Sequence, residues 1–411
     1  MSKPELTLRV DDSPAALDRE AWNALLSASS HPTPFMRHEY LLALHESESA
    51  SIEAGWQALF LSVWQGEELV GTCPAYLKTH SYGEYVFDWA WADAYRRNGL
   101  SYYPKLLVAV PFTPVPGSRL LARDGKARAL LARGLQALAE QQELSSVHLL
   151  FGDEADHAAA TKQGWMARTG VQFHWQNKSP PAAEIPPPPP EGVESAGGGP
   201  APIHAGHKTF AEFLAAMQRE KRKKIQQEQR KVRDAGVVFE TRQGAQITEA
   251  DWDFFYRCYT LTYRAHHSTP YLTRDFFRRM GETMAKNWLL FIAKQGERRV
   301  AVSLIAIDPE RGLAYGRYWG AIEHIPCLHF DACYYQPLAW CIANGYQRFE
   351  GGAQGEHKMA RGLLPVTTHS SHWLAHPDFR NAVGDFLARE GQGMRAYISE
   401  LEEHQPFKPA P

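Results

Sequence analysis

The chain has 411 residues, which is enough for two or three domains of ordinary size. Its 44 Lys and Arg residues nearly balance 46 Asp and Glu residues, and the net charge of -2 excludes a globally basic DNA-binding protein. Five cysteines without a Cys-x-x-Cys pair argue against a disulfide framework and a cysteine zinc site. No apolar run reaches the roughly 18 residues of a membrane span, and the first residues contain no apolar secretion signal. We therefore expect a cytoplasmic protein without a transmembrane segment.

The first predicted element is a β-hairpin over residues 56–77, in which two apolar runs flank a Gln-Gly-Glu turn centred on Gly66. The segments predicted after it are a strand at 84–87, a loop over 88–105, a helix over about 127–141 and a strand over 146–151. This order is typical of a hairpin-rich sheet with helices packed on it, rather than of a doubly wound parallel sheet.

A segment rich in proline and glycine divides the chain. It contains five prolines at 186–190 and three glycines at 197–199, a composition that cannot form a packed core. We therefore predict a first unit over residues 1–178, a linker over 179–207 and a second unit over 208–411.

A long helix is predicted to open the second unit. Thr209 and Glu212 have the spacing of a capping box, an apolar stripe continues to Val232, and Gly236 ends the pattern. The order of the first half then returns, with a hairpin around Gly296, a strand over 313–319, a helix over about 331–344 and a strand over 346–349. The repeated order predicts tandem α+β units.

Residues 349–362, FEGGAQGEHKMARG, follow the last of these strands and combine glycines with ionisable side chains. Glycines at such a turn allow positive φ or a close approach to a ligand, while a nearby base can deprotonate an amine. The candidates are Glu356 and His357 as catalytic bases, Lys358 and Arg361 as ligands of an anionic group, and Gly352 and Gln354 as further substrate contacts. The alternative is a tight connection with a solvated polar face.

A second group of candidates lies in the predicted loop over 88–105, where acidic, aromatic and basic side chains alternate. Carboxylates can receive an ammonium group, cations can bind a carboxylate or phosphate, and aromatic rings can bind sugars, bases or acyl chains. The substrate-binding candidates are Asp88, Trp91, Asp93, Arg96, Tyr103 and Lys105. The alternative is a loop whose aromatic rings cover the core.

The histidines near the C-terminus do not have the spacing of a metal site. His369 and His372 are three residues apart, so in a strand they would lie on opposite faces. Neither a His-Glu-x-x-His nor a His-x-His pattern is present, and we predict no metal.

The predicted helix over 210–234 carries eight cations within residues 219–233. Such a face is either simply solvated or binds phosphates of a tRNA, of a nucleotide-linked acceptor or of a membrane surface. The phosphate-binding candidates are Lys221, Arg222 and Lys224. The helix lacks interleaved aromatic residues, so we expect phosphate contacts without base reading.

Several long motifs resemble those of the FemAB-like proteins, a FemABX-type branch of the GNAT acyltransferases linked to peptidoglycan biosynthesis or recognition. They include HPTPFMRHEYL, HSYGEYVFDWAWADAY, LHFDACYYQPLAWCI and GAQGEHKMARG, and they occur in the same order. The resemblance covers nearly the whole chain. It implies an α+β fold of tandem GNAT-like units, each a mixed and mainly antiparallel sheet flanked by helices, with a cleft between the units.

The resemblance also implies an N-acyltransferase that moves an acyl or aminoacyl group to an amine on a small molecule or peptide. It implies acyl-CoA or aminoacyl-tRNA as donor substrate, tRNA as a further partner, no DNA and no permanently bound cofactor.

GNAT proteins that use CoA carry a Gln/Arg-x-x-Gly-x-Gly/Ala loop. Residues 122–127 keep Gly125 and Ala127 but not the leading residue, and residues 323–328 contain no glycine. The alternatives are a noncatalytic ligand-binding protein on the same scaffold and an RNA- or phosphate-binding protein acting through the basic helix.

Overall fold

The computed structural model describes residues 5–177, 206–353 and 355–408. The predicted linker over 179–207 lies almost wholly outside these ranges, and the candidate residue Gln354 also lies outside the described residues.

The strands are β1 (Leu6–Asp11), β2 (Trp56–Ala58), β3 (Phe60–Gln65), β4 (Glu68–Cys73), β5 (Tyr76–Lys78), β6 (Lys105–Val108), β7 (Leu121–Ala122), β8 (Ser146–Leu150), β9 (Met166–Gln176), β10 (Val237–Gln243), β11 (Trp288–Gln295), β12 (Arg298–Asp308), β13 (Leu313–Ala321), β14 (Arg348–Glu350) and β15 (Leu364–Leu374). The α-helices are α1 (Arg19–Ser27), α2 (His38–Glu46), α3 (Trp89–Arg97), α4 (Gly125–Gln141), α5 (Glu154–Lys162), α6 (Phe210–Ala216), α7 (Arg219–Asp234), α8 (Glu249–Ala265), α9 (Arg274–Thr283), α10 (Leu328–Phe330), α11 (Gln336–Ala343) and α12 (Pro377–Glu403).

Two sheets contain these strands. A four-stranded antiparallel sheet has the order β1-β3-β4-β7, and an eleven-stranded sheet has the order β10-β11-β12-β13-β14-β9-β15-β8-β6-β5-β2. Within the larger sheet, β13 with β14 and β6 with β8 are parallel pairs, one in each half of the chain. The architecture is the mixed, mainly antiparallel α+β arrangement predicted from the sequence.

Both predicted hairpins are present. Gly66 joins β3 to β4 with φ of 64°, and Gly296 joins β11 to β12 with φ of 57°. Positive φ at these turns is the conformation that glycine adopts without steric cost. Local turn chemistry was therefore sufficient to locate both hairpins.

The larger sheet runs through both halves of the chain, which the repeat alone did not reveal. Strand β9 from the first half pairs with β14 and β15 from the second half. Strand β15 also pairs with β8, so it lies between two strands of the first half. Because strand partners far apart in sequence leave no local pattern, only the tertiary structure shows this exchange.

The predicted strand at 84–87 and the predicted loop over 88–105 are both wrong. Residues 84–87 form no strand, and the next segment begins with α3. Trp91 and Tyr95, four residues apart, are both buried on one face of α3 and pack in a cluster that includes Val383 and Leu387 of α12. The helical spacing of these two aromatic residues is the signal that was overlooked.

The single long helix predicted over 210–234 is also wrong, because the chain breaks between α6 and α7. Met217 is extended, with ψ of 155°, and forms an isolated β-bridge with Phe407. The backbone amide of Gln218 donates to the Pro406 carbonyl over 2.9 Å. The C-terminal segment thus replaces one turn of intrahelical bonding, a contact that local periodicity cannot anticipate.

The capping box predicted at the start of this helix is half formed. The Thr209 side chain accepts a hydrogen bond from the Glu212 amide at 3.1 Å, as predicted. The Glu212 carboxylate, however, accepts from the amide of Lys208 over 2.7 Å rather than from Thr209. The helix still begins at Phe210.

Within the described ranges, no helix is both long and apolar enough to cross a bilayer. Across the same residues, no group of three or more His, Cys, Asp and Glu side chains is arranged to hold a metal ion. His369 and His372 have separate surroundings on β15. The His369 ring stacks on His157 with centroids 5.5 Å apart, and the buried His372 lies with Nδ1 2.7 Å from Nδ1 of His148.

Candidate functional site

The candidate site is a cleft that opens where β13 and β14 separate. The two strands pair in parallel only from Leu313–Tyr315 to Arg348–Glu350, after which β13 continues to Ala321. The opening has a volume of about 240 Å³. Its walls come from both halves of the chain and are formed by Tyr85, Phe112, Pro114, Ser303, Ile305, Gly316, Arg317, Tyr318, Trp319, His329, Cys333, Tyr334, Phe349, Gly351, Gly352 and Ala353.

Arg317 occupies a β-bulge on the wall of this cleft. Gly316 pairs with Ile305 and Tyr318 with Leu304, so Arg317 is the extra residue on β13. Its Nη2 donates to the carbonyl of Phe112 over 3.0 Å. Arg317 is not among the predicted site residues, although a glycine inside a strand pattern is a recognised signal of a bulge.

The predicted glycine-rich turn forms one side of the cleft. Gly352 has φ of 80°, and Gly351 has no room for a side chain because an added Cβ would lie 2.6 Å from Leu363 Cδ2. Lys358 is buried, and its Nζ donates to the carbonyls of Gly352 over 2.9 Å and Ala353 over 3.1 Å. Burial lowers the pKa of Lys358 to about 8. This lysine therefore holds the turn in shape.

The predicted bases, Glu356 and His357, contact different parts of the protein. The exposed Glu356 carboxylate accepts a hydrogen bond from the Tyr397 hydroxyl of α12. His357 is also exposed, and its Nε2 lies 3.2 Å from the hydroxyl of Tyr334, which lines the cleft. Among the described residues that line the cleft, neither Glu356 nor His357 appears. His357 therefore reaches the cleft through Tyr334.

Arg361 connects the turn to the basic helix. Its side chain is buried, with Nη2 3.3 Å from Oε2 of Glu228 on α7 and Cζ 3.6 Å from the Phe330 ring centroid. Arg361 Nη1 also donates to the His357 carbonyl over 2.6 Å. The predicted anion ligand is thus paired with a protein carboxylate, and it fixes the position of His357.

A π-helical segment, Asp331–Tyr335, places further groups in the cleft that sequence analysis missed. Cys333 and Tyr334 lie in this segment, and His329 lies in α10 just before it. Burial, with the nearby His357, lowers the pKa of His329 to about 4, so this side chain is neutral at pH 7. Burial raises the pKa of Cys333 to about 12, so the thiol is protonated. Sequence periodicity does not distinguish a π-helical turn from an α-helix, although such turns often occur at functional sites.

The second predicted group, around α3, includes a buried ionic cluster. Lys105 is fully buried, and its Nζ donates to Ser81 Oγ over 2.8 Å, to Glu84 Oε2 over 2.8 Å and to Asp88. The Tyr102 hydroxyl donates to Asp88 over 2.7 Å. Lys105 and Asp88 therefore satisfy each other inside the first half.

The other candidates near α3 are also occupied by the protein. Asp93 forms ion pairs with Arg96 and Arg97 on the exposed face of the helix. Trp91 is buried, and the Tyr103 hydroxyl lies 2.8 Å from Ser81 Oγ. The described walls of the cleft include none of the six substrate-binding candidates from residues 88–105.

The candidate phosphate ligands lie on α7. Lys221 and Arg222 are partly exposed and Lys224 is exposed. Within the described part of the chain, these three cations have no ion-pair partner. The helix therefore presents cationic charge to solvent, while Glu228 on its buried side binds Arg361 of the turn.

The degenerate CoA loop at 122–127 forms the start of α4. Here the Asp124 carboxylate accepts hydrogen bonds from the amides of Lys126 over 3.0 Å and Ala127 over 2.9 Å. An aspartate in this position is a good helix cap. The Asp124 carboxylate thus occupies the two amides that an anionic ligand would need for its own hydrogen bonds.

A family model described as peptidoglycan biosynthesis/recognition, FemAB-like, matches residues 13–182 and 203–409. No curated protein matches this chain in sequence. The structure of FemX is similar with a TM-score of 0.51 and 9% identity, covering 90% of this chain and 98% of FemX. The structure of L-PGS from Bacillus licheniformis is similar with a TM-score of 0.50 and 10% identity, covering 90% of this chain and 97% of that one.

At these low identities, the two structural likenesses show the fold alone. The family match extends over nearly the whole chain, and it agrees with the duplicated arrangement of hairpins, helices and parallel strand pairs described above. The chain belongs to the FemAB-like family and has a duplicated GNAT-type fold.

Proposed function

We propose that the protein is an N-acyltransferase that moves an acyl or aminoacyl group from an activated donor to an amine in the cleft. The observation that carries this proposal is the separation of β13 and β14, which opens about 240 Å³ between the two halves. Gly316 and Gly352 line the opening and allow a substrate carbonyl to approach the backbone closely. Backbone amides at such a point can stabilise the oxyanion of a tetrahedral intermediate.

The proposed reaction requires removal of one proton from the amine. The amine nitrogen attacks the donor carbonyl carbon, a C–N bond forms, and the ester or thioester bond breaks. Tyr334 and His357 form a path for the proton, because the Tyr334 hydroxyl lies in the cleft and 3.2 Å from His357 Nε2. His357 accepts the proton and then returns it through Tyr334 to the leaving hydroxyl or thiol, so the reaction is balanced.

His357 is suited to this role because it is neutral at pH 7. Partial burial, together with Arg361 and Lys358, lowers the pKa of His357 below its ordinary value of 6.5. We assign Glu356 a positioning role, since its carboxylate binds Tyr397 and thereby joins the turn to α12.

We propose aminoacyl-tRNA ahead of acyl-CoA as the donor. The amides of Lys126 and Ala127 are already bonded to Asp124, which disfavours a pyrophosphate at the start of α4. In contrast, α7 offers solvent-facing cations and is joined through Glu228 to Arg361 of the candidate site. Phosphates along an RNA backbone match a row of cations on a helix.

Purified protein should be incubated with labelled aminoacyl-tRNA or acyl-CoA and a panel of primary amines, and amide products measured. We expect product with aminoacyl-tRNA. Turnover with acyl-CoA alone would overturn the donor assignment. If neither donor supports turnover but ligands still bind, the noncatalytic binding protein is the better description.

Neutralising the basic face of α7 is expected to weaken tRNA binding and its dependence on salt. The test variant replaces Lys221, Arg222 and Lys224 together by Gln. Each cation that contacts a phosphate adds about 0.7 to 0.9 to the slope of log affinity against log salt, so the slope should become less steep by up to roughly 2.5. Binding is measured by filter retention or anisotropy over a series of salt concentrations.

A matched triple variant replaces three cations that already have carboxylate partners, namely Arg123, Lys286 and Arg298. Its salt slope should equal that of the unmodified protein. Equal slopes for both triple variants would show that α7 is a solvated face without a role in tRNA binding.

A further inference from the structure

Arg317 is a cation in the cleft without a protein carboxylate as partner. Among the described residues that line the cleft, none is Asp or Glu, and no described carboxylate forms an ion pair with Arg317. Arg317 is only partly buried, so its positive charge is open to an anionic group in the cleft. The other arginine at the site, Arg361, obtains its counter-charge from Glu228.

Only part of the Arg317 guanidinium is satisfied by the protein. Its Nη2 donates to Phe112 O over 3.0 Å, Thr113 Oγ1 over 3.1 Å and the Tyr318 hydroxyl over 3.1 Å. Nε is buried without a hydrogen-bond partner, and Nη1 forms no hydrogen bond with the described residues. Nη1 is therefore the donor that remains for a ligand, and a carboxylate can accept a charge-assisted hydrogen bond from it.

Aromatic rings hold this side chain in place and leave its charge uncompensated. Cζ of Arg317 lies 5.0 Å from the ring centroids of both Phe35 and Tyr318. Phe112, whose carbonyl accepts from Arg317, stacks on Tyr271 with centroids 4.7 Å apart. The guanidinium is therefore positioned before a ligand arrives, which reduces the entropy lost on binding.

The cleft is small. Its 240 Å³ is below the about 300–1,000 Å³ that is usual for sites that enclose drug-sized ligands. A residue-sized group fits such a volume, with its apolar part against the aromatic walls and its anionic end at Arg317.

We propose that the acceptor is a small amine that also carries a carboxylate, as an amino acid does, and that Arg317 binds this carboxylate. The assignment of the amine rests on the proposed transfer reaction, whereas the assignment of the carboxylate rests on the unpaired guanidinium. Arg317 thus determines specificity by charge, and the amine of the same molecule points toward the carbonyl of the donor.

The test compares acids with their neutral amides in pairs: alanine with alaninamide, phenylalanine with phenylalaninamide, and lysine with lysinamide. Binding to the full-length protein is measured by calorimetry. We expect at least one acid to bind about tenfold or more tightly than its amide, because the charge-assisted hydrogen bond to Arg317 is lost in the amide. Equal affinities in every pair, or no binding of any acid at its highest soluble concentration, overturn the proposal.

Two variants separate recognition from a structural role. Arg317→Gln should bring the acid-to-amide affinity ratio close to one while amide binding persists, and Arg317→Lys should retain part of the preference because it keeps the charge. If Arg317 only supports the bulge, both variants should weaken acid and amide binding equally, and the proposal fails. Unfolding midpoints of both variants identify any general loss of structure.

Phosphoethanolamine and inorganic phosphate form a further arm of the test. If either binds about tenfold more tightly than every amino acid, the anionic group is a phosphate and the carboxylate assignment is wrong. Failure of the transfer assay with an intact acid preference would overturn the proposed function and leave this inference standing. Transfer to amides as fast as to acids would overturn the carboxylate assignment and leave the proposed function standing.

Discussion

Replacing Tyr334 by Phe is expected to lower kcat by about a hundredfold or more, which is the lower end of what a positioned proton-transfer group contributes. The substitution removes the hydroxyl that joins the cleft to His357 and leaves the aromatic ring in place. His357→Ala should cause a loss of similar size. The double variant should be little worse than either single variant, because both residues act in one relay.

The pH profile of kcat/KM provides a second measure of this relay. The base must be neutral, so the rate falls as pH decreases through the pKa of His357, which burial, Arg361 and Lys358 hold below 6.5. This acidic limb should disappear in His357→Ala. Tyr397→Phe is the matched control, since it removes a hydroxyl that binds Glu356 on the other side of the same turn. Unchanged kcat in Tyr334→Phe would show that the proton leaves by another path.

Replacing Lys105 by Met is expected to destabilise the fold by about 3–5 kcal/mol, because it leaves two buried carboxylates without their cation. Glu84 and Asp88 are 4% and 3% exposed, so solvent cannot replace the lysine. Burial raises the pKa of Glu84 to about 7, whereas Lys105 and His148 overcome the same burial effect and keep the pKa of Asp88 well below its ordinary value. Asp88 therefore carries the negative charge that depends most on Lys105.

Denaturant unfolding measures this loss. Arg96→Met is the control, because it breaks an ion pair with Asp93 on an exposed helix face and should leave the unfolding midpoint unchanged. A triple variant with Lys105→Met, Glu84→Gln and Asp88→Asn should recover part of the stability, since no buried charge remains. A small loss in Lys105→Met, close to that of Arg96→Met, would show that the two carboxylates do not depend on Lys105 for their stability in the fold.

The features that depend on neighbouring residues could be predicted from the sequence. The hairpin turns at Gly66 and Gly296 follow from glycine at positive φ, and helix α4 agrees with its predicted range. The motif at 349–362 was correctly placed after a strand, and it does form one wall of a cleft. Local chemistry thus located the turn without revealing which of its side chains point toward the opening.

The features that depend on distant residues could not be predicted. The ion pairs of Lys105 with Glu84 and Asp88 are an example, because residues 84–105 fold differently from the predicted strand and loop. The ion pair of Arg361 is a second example, because its partner Glu228 lies on α7, more than a hundred residues away in sequence. The sequence alone does not show whether a charged side chain is paired with another residue of the protein or is free to bind a ligand.

The sequence by itself determined the α+β class, the two repeated units, the hairpins and the family, because these follow from short-range patterns and ordered motifs. Only the tertiary structure decided which cations lie beside a carboxylate. Lys105 and Arg361 are paired with carboxylates from other segments of the chain, whereas Arg317, on a bulge that strand register alone creates, has no carboxylate partner among the described residues. The physical reason is that charge compensation depends on three-dimensional proximity, which the order of residues along a chain does not specify.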